Sequence, residues 1–288
     1  MIPASFDYLA PKSLDEALSV LGARGEDAKL IAGGHSLLPL MKLRLANPKV
    51  LIDIGRIRNL NEIRAAKDHM VVGALATHFQ IESSALLQKN CPLLPQTART
   101  IGDVQVRNRG TIGGSVVHAD PAADWPAAIL ALGGRLRLRG RTGERMIDAE
   151  KFFLGPMTTA IEASEILTEI HLPMAPRRSG YSYGKIAQQA SGFAIVGVAV
   201  SLCLDAKGRC EDVGIGITGL SDTPFRARKA EERLRGNKIT TKLVDACAAE
   251  VAAGIDPLDD LHAAADYRAH LARVYTARAV QEAAKHAR

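Results

Sequence analysis

Apolar residues recur in the first part of the chain at helical spacing and then in short runs typical of strands. From 14 to 21 the apolar residues lie three or four positions apart, which predicts an amphipathic helix. Ser13 is a suitable N-cap, and Glu16 follows at the position that completes a capping box. Short apolar runs bounded by glycine or polar residues then predict strands at 29–32, 50–54 and 70–74.

The middle of the chain continues this mixture of helix and strand. Thr77 is a suitable N-cap, and the apolar stretch 87–101 predicts a further helix that two prolines interrupt. The segment 135–139 alternates arginine and leucine without exception, which predicts a strand with one face in water. A second strand, predicted at 166–172, is expected to lie beside it in the same domain.

A segment rich in proline, glycine and arginine at 173–180 predicts a boundary between two domains. Beyond it, the apolar pattern predicts strands at 193–204 and 212–218 and alanine-rich helices at 241–253 and from 266 onward. The chain is therefore predicted to be of the α+β class. The first domain is expected at 1–175, in two lobes of about 1–55 and 56–175, and the second at 176–288.

Composition and charge exclude several classes of protein. With 47% hydrophobic residues among 288, the chain is expected to bury a large core, and no apolar run reaches the roughly 18 residues of a membrane helix. The N-terminus has no basic region followed by an apolar core, so we expect a cytoplasmic protein, with peripheral attachment to the inner membrane face left open. The net charge of +6 comes without an aromatic stacking motif, which disfavours nucleic-acid binding.

The cysteines narrow the chemistry further. Cys91, Cys203, Cys210 and Cys247 are scattered along the chain, and no C-x-x-C pair occurs. This spacing argues against a zinc site, an iron–sulfur cluster and a disulfide framework. We therefore expect small buried side chains at these positions and no metal site in this chain.

Two glycine-rich loops carry the candidate chemistry, and the first of them spans residues 32–36. It lies between a predicted strand and a predicted helix, with Ser36 available as the N-cap. Adjacent glycines can adopt positive φ and let a ligand approach the backbone, and a helix N-terminus adds positive potential for a phosphate. Taken alone, such a loop is more often a tight turn, and His35 is more often a structural histidine.

The second loop, residues 111–115, repeats this chemistry, and Asp120 and Asp124 follow it ahead of a predicted helix. Two such loops could hold the two sides of a pyrophosphate, and a nearby carboxylate could bind ribose or ribityl hydroxyls. The alternative, in which both loops are plain turns and Asp124 only caps a helix, stays open on these residues alone.

A third glycine pattern, at 214–219, matches the G-x-G-x-x-G spacing of a Rossmann loop. A polar turn that contains Pro224 follows it, whereas a Rossmann loop opens a helix. We therefore predict that these are glycines of a strand and assign them no ligand.

The two loops resemble the FAD loops of the medium, flavin-carrying subunits of the xanthine dehydrogenase and aerobic carbon-monoxide dehydrogenase family, the molybdenum hydroxylases. The matching segments are Ala-Gly-Gly-His-Ser-Leu-Leu-Pro at 32–39 and Gln-Val-Arg-Asn-Arg-Gly-Thr-Ile-Gly-Gly at 105–114. The resemblance extends from Phe6 to the C-terminal helices. It implies a two-lobed FAD-binding domain of the vanillyl-alcohol-oxidase (PCMH) type, a smaller C-terminal α+β domain with a short antiparallel sheet, and noncovalent FAD.

The resemblance also implies which residues bind the cofactor. The pyrophosphate would lie between two sets of loop residues, Ala32, Gly33, Gly34, His35, Ser36 and Leu37 in the first and Thr111, Ile112, Gly113, Gly114 and Ser115 in the second. Asp124 would lie near the ribityl and phosphate region, Leu167 and Lys185 would line the cofactor, and Phe193 would lie beside the isoalloxazine. Asp120 would be a further cofactor-binding residue. Ser115 stands where many relatives carry Asn or Asp. The stretch 188–193 departs from the Arg- and Lys-rich stretch of typical carbon-monoxide dehydrogenases, which argues against carbon monoxide as the substrate.

The resemblance implies partners as well. A large subunit would carry the molybdenum cofactor and a small subunit two [2Fe-2S] clusters, with the complex arranged as a dimer of heterotrimers, and this chain would pass electrons through FAD to an external acceptor. We expect no catalytic acid or base in this chain, and neither the substrate nor the acceptor is indicated. A free-standing FAD-dependent oxidase or reductase, and a basic binding module without a cofactor, are the two alternatives that stay open.

Overall fold

The first part of the chain forms a small parallel sheet with one helix packed on it. The computed structural model describes residues 2–287. The sheet has the order β1-β3-β2, and the elements of this lobe are β1 (Asp7–Leu9), α1 (Leu14–Arg24), β2 (Ala28–Ile31), α2 (Leu37–Lys42) and β3 (Val50–Asp53). Ser13 caps α1 as predicted by accepting the Glu16 N–H. The Glu16 carboxylate accepts the Lys12 N–H, so the second bond of the predicted capping box falls one residue early.

A five-stranded antiparallel sheet forms the second lobe, in the order β4-β5-β10-β6-β7. Its strands, with a small β8–β9 ribbon, are β4 (Ile63–Ala65), β5 (His69–Gly73), β6 (Arg135–Gly140), β7 (Gly143–Asp148), β8 (Phe153–Gly155), β9 (Thr158–Thr159) and β10 (Ile166–Pro173). Between β5 and β6 come six short helices, α3 (His78–Ser83), α4 (Ala85–Asn90), α5 (Leu93–Arg99), α6 (Val104–Arg109), α7 (Ile112–His118) and α8 (Asp124–Ala131). The predicted pairing of the arginine–leucine strand with β10 is confirmed, since Leu138 lies opposite Leu167.

The last part of the chain is an antiparallel sheet, β11-β12-β13-β14, with helices packed against it. Its elements are β11 (Ser179–Ala187), β12 (Ala194–Leu204), β13 (Cys210–Thr218), β14 (Phe225–Arg226), α9 (Arg228–Leu234), α10 (Thr241–Glu250) and α11 (Ala265–His286). Strand β11 was not predicted, and its first residues were assigned to the linker at 173–180. Helices α6 and α9 were not predicted either. The α+β fold class is confirmed.

The glycine pattern at 214–219 packs against helix α8. A Cβ added to Gly214 would lie 1.9 Å from the Ala131 carbonyl oxygen, and one added to Gly216 would lie 2.0 Å from that of Ala127. The two glycines therefore let the backbone of α8 rest directly on β13. The prediction that they are strand glycines is confirmed, and this contact joins the C-terminal sheet to the helices of the second lobe. Among residues 2–287, no helix combines the length and the apolar character that a bilayer crossing requires.

Candidate cofactor site

The two predicted glycine loops lie side by side. A Cβ added to Gly33 would lie 2.3 Å from the Arg109 carbonyl oxygen, so the first loop touches the backbone immediately before the second. On the other side, a Cβ added to Gly114 would lie 3.9 Å from the Ala32 side chain. Residues 80 positions apart in the sequence therefore form one continuous surface.

Within each Gly-Gly pair, the first glycine packs on protein. Gly33 packs on Arg109, and a Cβ added to Gly113 would lie 2.5 Å from that of Ala74. The second glycine has another role in each loop, since Gly34 adopts φ +79° and Gly114 is exposed. The expectation that the paired glycines adopt positive φ holds only for Gly34.

The second loop differs from its prediction, because its glycines lie inside the first turn of α7. Thr111 is the N-cap, and its hydroxyl accepts the Gly114 N–H at 3.2 Å. The N–H groups of Ile112 and Gly113 donate to the carbonyls of Ala76 and Ala74. The backbone donors at the start of α7 are thus paired within the protein, and the exposed Gly114 contributes mainly the absence of a side chain.

The first loop has its polar groups arranged differently. Ser36 is the N-cap of α2, as predicted, but its side chain makes no capping hydrogen bond. Its hydroxyl is therefore not engaged in capping its own helix, unlike that of Thr111. His35 is exposed beside it. The N-termini of α2 and α7 both lie at this surface, and both add positive potential for an anion.

A buried histidine supports the surface from behind. The His78 Nδ1 accepts the Trp125 indole N–H at 3.1 Å, and a Cβ added to Gly110 would lie 2.6 Å from the His78 Nε2. Burial, aided by the charges of His35 and Arg107, lowers the pKa of His78 from its usual 6.5 to about 4. His78 is therefore a neutral structural side chain at neutral pH, and the predictions from the sequence had missed it.

The C-terminal sheet holds the segment that follows the second loop. The Thr218 hydroxyl oxygen lies 2.7 Å from the carbonyl oxygens of both Pro121 and Ala123 and donates its one hydrogen between them, and the Ala194 N–H donates to the Ala122 carbonyl. Asp120 folds back on this segment, where its carboxylate accepts the Ala122 N–H at 2.8 Å. The path of residues 120–124 is thus set by two strands of the other domain.

Asp124 is the most buried of the predicted acidic site residues. It is the first residue of α8, whose N-cap is Ala123, so the alternative that Asp124 caps the helix is wrong. Its carboxylate pairs with the Lys185 ammonium at 2.9 Å and accepts the Tyr183 hydroxyl. Burial raises the pKa of Asp124 against the opposing attraction of Lys185, and it raises the pKa of Tyr183 well above 10. Tyr183 was not predicted, although it lies two residues before Lys185 on the same face of β11.

The remaining predicted residues lie at different depths. Leu167 is 4% exposed in β10, in the core beneath α7, whereas Phe193 is 39% exposed at the end of the turn between β11 and β12. The structure therefore brings the two loops together, and it buries the side chains of Leu167, Asp124 and Lys185.

The cysteines lie away from this chemistry. Cys91, Cys210 and Cys247 are buried, and burial raises the pKa of each thiol to about 12. Cys203 is half-buried. Protonated thiols are poor metal ligands, so these side chains act as small packing groups.

The loop surface is open to an anion at Gly114. The exposed Gly114 leaves room for a phosphate to approach closely, and Gly34 turns the first loop so that the free Ser36 hydroxyl lies at a helix N-terminus. These features are compatible with phosphate binding at the two loops without a Rossmann loop.

Comparison with known proteins identifies the class. Residues 4–175 match the family described as FAD binding domain in molybdopterin dehydrogenase, and residues 181–283 match the CO dehydrogenase flavoprotein C-terminal domain. The chain belongs to this family of FAD-binding flavoprotein subunits of molybdenum hydroxylases. The predicted FAD subunit is confirmed, and the binding module without a cofactor is wrong.

Individual relatives align over the whole chain. It is 40% identical to the carbon monoxide dehydrogenase medium chain of Hydrogenophaga pseudoflava, over 98% of both chains. It is 35% identical to the 6-hydroxypseudooxynicotine dehydrogenase complex subunit alpha of Paenarthrobacter nicotinovorans, over 100% of this chain and 97% of the relative. A solved structure of the Hydrogenophaga pseudoflava carbon monoxide dehydrogenase that lacks the Mo-pyranopterin moiety superposes with a TM-score of 0.97, at 41% identity over 99% of both chains.

Proposed function

We propose that this chain binds FAD at its paired glycine loops and relays electrons from a small iron–sulfur subunit to an external acceptor. A large subunit with the molybdenum cofactor would oxidise the substrate. The observation that carries this proposal is the contact between the two glycine loops beside the exposed Gly114, in a chain of this family. Bound FAD supplies reversible acceptance of one or two electrons, and the protein supplies its orientation and electrostatics.

The proposal assigns a part to each predicted site residue. The residues proposed to border the pyrophosphate are Ala32, Gly33, Gly34, His35, Ser36 and Leu37 in one loop and Thr111, Ile112, Gly113, Gly114 and Ser115 in the other. Asp124 is proposed to lie near the ribityl and phosphate region, Leu167 and Lys185 to line the cofactor, and Phe193 to lie beside its ring system. Asp120 is proposed as a further cofactor-binding residue. No residue of the chain is assigned a role as acid or base.

The proposal also covers the domain bounds, the assembly, the location and the choice of substrate. The FAD-binding domain is taken as residues 1–175 and the C-terminal domain as 176–288, and the assembly as a dimer of heterotrimers with large and small subunits. The complex is proposed to lie in the cytoplasm, and cell fractionation tests whether it attaches peripherally to the membrane. Relatives named for carbon monoxide and for 6-hydroxypseudooxynicotine share this kind of chain, so the substrate is proposed to be chosen by the large subunit.

The test begins with the complex captured through an affinity tag on this chain. We expect two further polypeptides, molybdenum, iron and about one FAD per copy of this chain, with the flavin released by acid precipitation because it is noncovalent. Flavin that stays on the precipitated protein, or a complex without flavin, would contradict the cofactor assignment.

A second measurement separates the relay from a free-standing oxidase. The isolated chain, supplied with FAD, is mixed with aldehydes, N-heterocycles and carbon monoxide in turn while the visible flavin band is followed. We expect no bleaching by any of them, and bleaching by a chemical reductant such as dithionite. Rapid bleaching by one of the organic substrates without partner subunits would favour the oxidase.

A further inference from the structure

We propose that Lys185 and Asp124 act on the flavin as positioning residues, through the backbone of the turn that presents Phe193. This inference rests on the function proposed above and deepens it. It assigns no direct contact between the Lys185 ammonium and FAD.

The Lys185 ammonium is held by partners within the protein. Its Nζ lies 2.9 and 3.0 Å from the two carboxylate oxygens of Asp124 and 2.6 Å from the Gly192 carbonyl oxygen. The ammonium donates hydrogen bonds to Asp124 Oδ2 and to the Gly192 carbonyl, and its contact with Asp124 Oδ1 is that of an ion pair. The side chains of Lys185 and Asp124 are 6% and 5% exposed, so the pair is shielded from solvent as well.

The hydrogen bond to the Gly192 carbonyl holds the turn between β11 and β12. The turn is closed by hydrogen bonds between Gln188 and Phe193 and between Gly192 and Gln188, and Gly192 adopts φ +74°. The Lys185 bond binds the carbonyl of the residue immediately before Phe193. The direction of the peptide that leads into Phe193 therefore depends on a buried charge.

The same charge connects the turn to the FAD-binding domain. Asp124 begins α8, directly after the segment that follows the second glycine loop, whereas Lys185 and Gly192 belong to the C-terminal sheet and its turn. The Tyr183 hydroxyl binds the same carboxylate and completes the network. Because a buried ion pair keeps its geometry only while both partners stay in place, this network fixes the exposed Phe193 ring relative to the glycine loops.

A double-mutant cycle on the captured complex tests whether Lys185 acts on FAD through Phe193. The complex is stripped of flavin, and the dissociation constant for added FAD is measured for wild type, Lys185→Met, Phe193→Leu and the double variant. We expect Lys185→Met to weaken FAD binding about tenfold in the wild-type background and less than about twofold in the Phe193→Leu background. The visible absorption band of bound FAD should shift in Lys185→Met, and Lys185→Met should add no further shift to Phe193→Leu.

Two other results would overturn the inference. The same loss of affinity in both backgrounds would mean that Lys185 contacts FAD directly. A lower melting temperature with unchanged FAD affinity and spectrum would mean that the network is merely structural. If Lys185→Met does not yield a folded complex, Lys185→Gln, which keeps one donor for the buried site, takes its place in the same cycle.

The control is a second ion pair of the C-terminal domain. Arg226 pairs with the fully buried Glu231 at 2.6 Å and contacts Glu150 and Val213, and none of these residues belongs to the Phe193 turn. We expect Arg226→Met to lower the melting temperature and to leave the affinity and spectrum of FAD unchanged. A wild-type complex that binds no FAD would contradict the proposed function itself, whereas an additive cycle would contradict only this inference.

Discussion

The glycines of the paired loops and the glycines of strand β13 lie in different surroundings. In the loops, Gly114 is exposed and Gly34 holds a left-handed turn ahead of α2. In β13, a Cβ added to Gly216 would lie 2.0 Å from a carbonyl oxygen of α8. An exposed glycine can admit a ligand, whereas a glycine that faces a helix backbone admits only that helix.

The comparison teaches that spacing alone does not identify a nucleotide loop. The pattern at 214–219 has the G-x-G-x-x-G spacing and packs on protein, while the paired loops lack that spacing and lie at helix N-termini. Even within the loops, Gly33 and Gly113 serve packing. Substitution of glycines in the two regions should therefore separate loss of folding from loss of FAD.

The largest effect is expected at β13. Gly216→Val would force a branched side chain into the backbone of α8, so we expect a loss of at least about 3 kcal/mol in the free energy of unfolding, or no folded protein. Thermal and denaturant unfolding measure it. Gly140→Val is the matched control, because the nearest atom to a Cβ at Gly140 is 3.7 Å away in the Glu165 side chain. A stable Gly216→Val protein would remove the distinction between the two regions.

The next effect concerns FAD and leaves the fold intact. Gly114→Val places a side chain on the exposed loop surface, 2.8 Å from the Thr111 hydroxyl that caps α7, and loss of that cap costs only about 1 kcal/mol. Gly34→Val must adopt φ +79°, which a β-branched residue resists. We expect both variants to lose nearly all bound flavin while they keep the circular dichroism spectrum of the wild type. Flavin per polypeptide in the purified complex is the measurement, again with Gly140→Val as control. Full flavin content in both folded variants would return these glycines to the role of plain turns.

The stability of the folded protein is expected to depend on pH through His78, the buried histidine beside the second loop. The pKa of His78 is about 4 in the folded protein and 6.5 when unfolded, so the folded state binds fewer protons between these values. The contribution of neutral His78 to the free energy of unfolding is therefore complete above pH 6.5. It is lost as the pH falls towards 4, and the loss reaches about 2 kcal/mol at pH 5.

The measurement is the change in unfolding free energy between pH 7 and pH 5. His78→Gln, whose amide oxygen can still accept the Trp125 N–H, should show a smaller change than wild type. An equal change in both proteins would mean that His78 does not titrate in this range. The packing of β13 on α8 involves backbone and small side chains, so it should add no such dependence.

The smallest effects distinguish the two helix caps. Thr111 caps its helix, so Thr111→Ala should cost about 1 kcal/mol of stability. Ser36 makes no capping bond, so Ser36→Ala should leave the melting temperature unchanged and weaken FAD binding by up to about tenfold if its hydroxyl binds phosphate. Melting curves and FAD titrations on both variants check this, and a drop in stability for Ser36→Ala would contradict it.

Much of the fold followed from local patterns. The first helix, the arginine–leucine strand and the long strand at 193–204 were predicted close to their observed bounds, because one face of each is apolar at the period of its structure. Strand β11 was missed, since its residues include few apolar ones in alternation. It is held by pairing with β12 and by α11, whose Ala283 carbonyl oxygen would lie 1.8 Å from a Cβ at Gly180.

The sequence by itself determined the chemistry that is available: two glycine loops before helices, no clustered cysteines, and a signature specific enough to indicate an FAD subunit. Only the tertiary structure decided that Gly33 and Gly113 pack on protein, that Gly34 adopts positive φ and that Gly114 is exposed. It also decided that Asp124 binds Lys185 and Tyr183, which follow it by about 60 positions. The reason is that the role of a glycine or a buried charge depends on the atoms opposite it, and those atoms come from distant segments that only folding brings together.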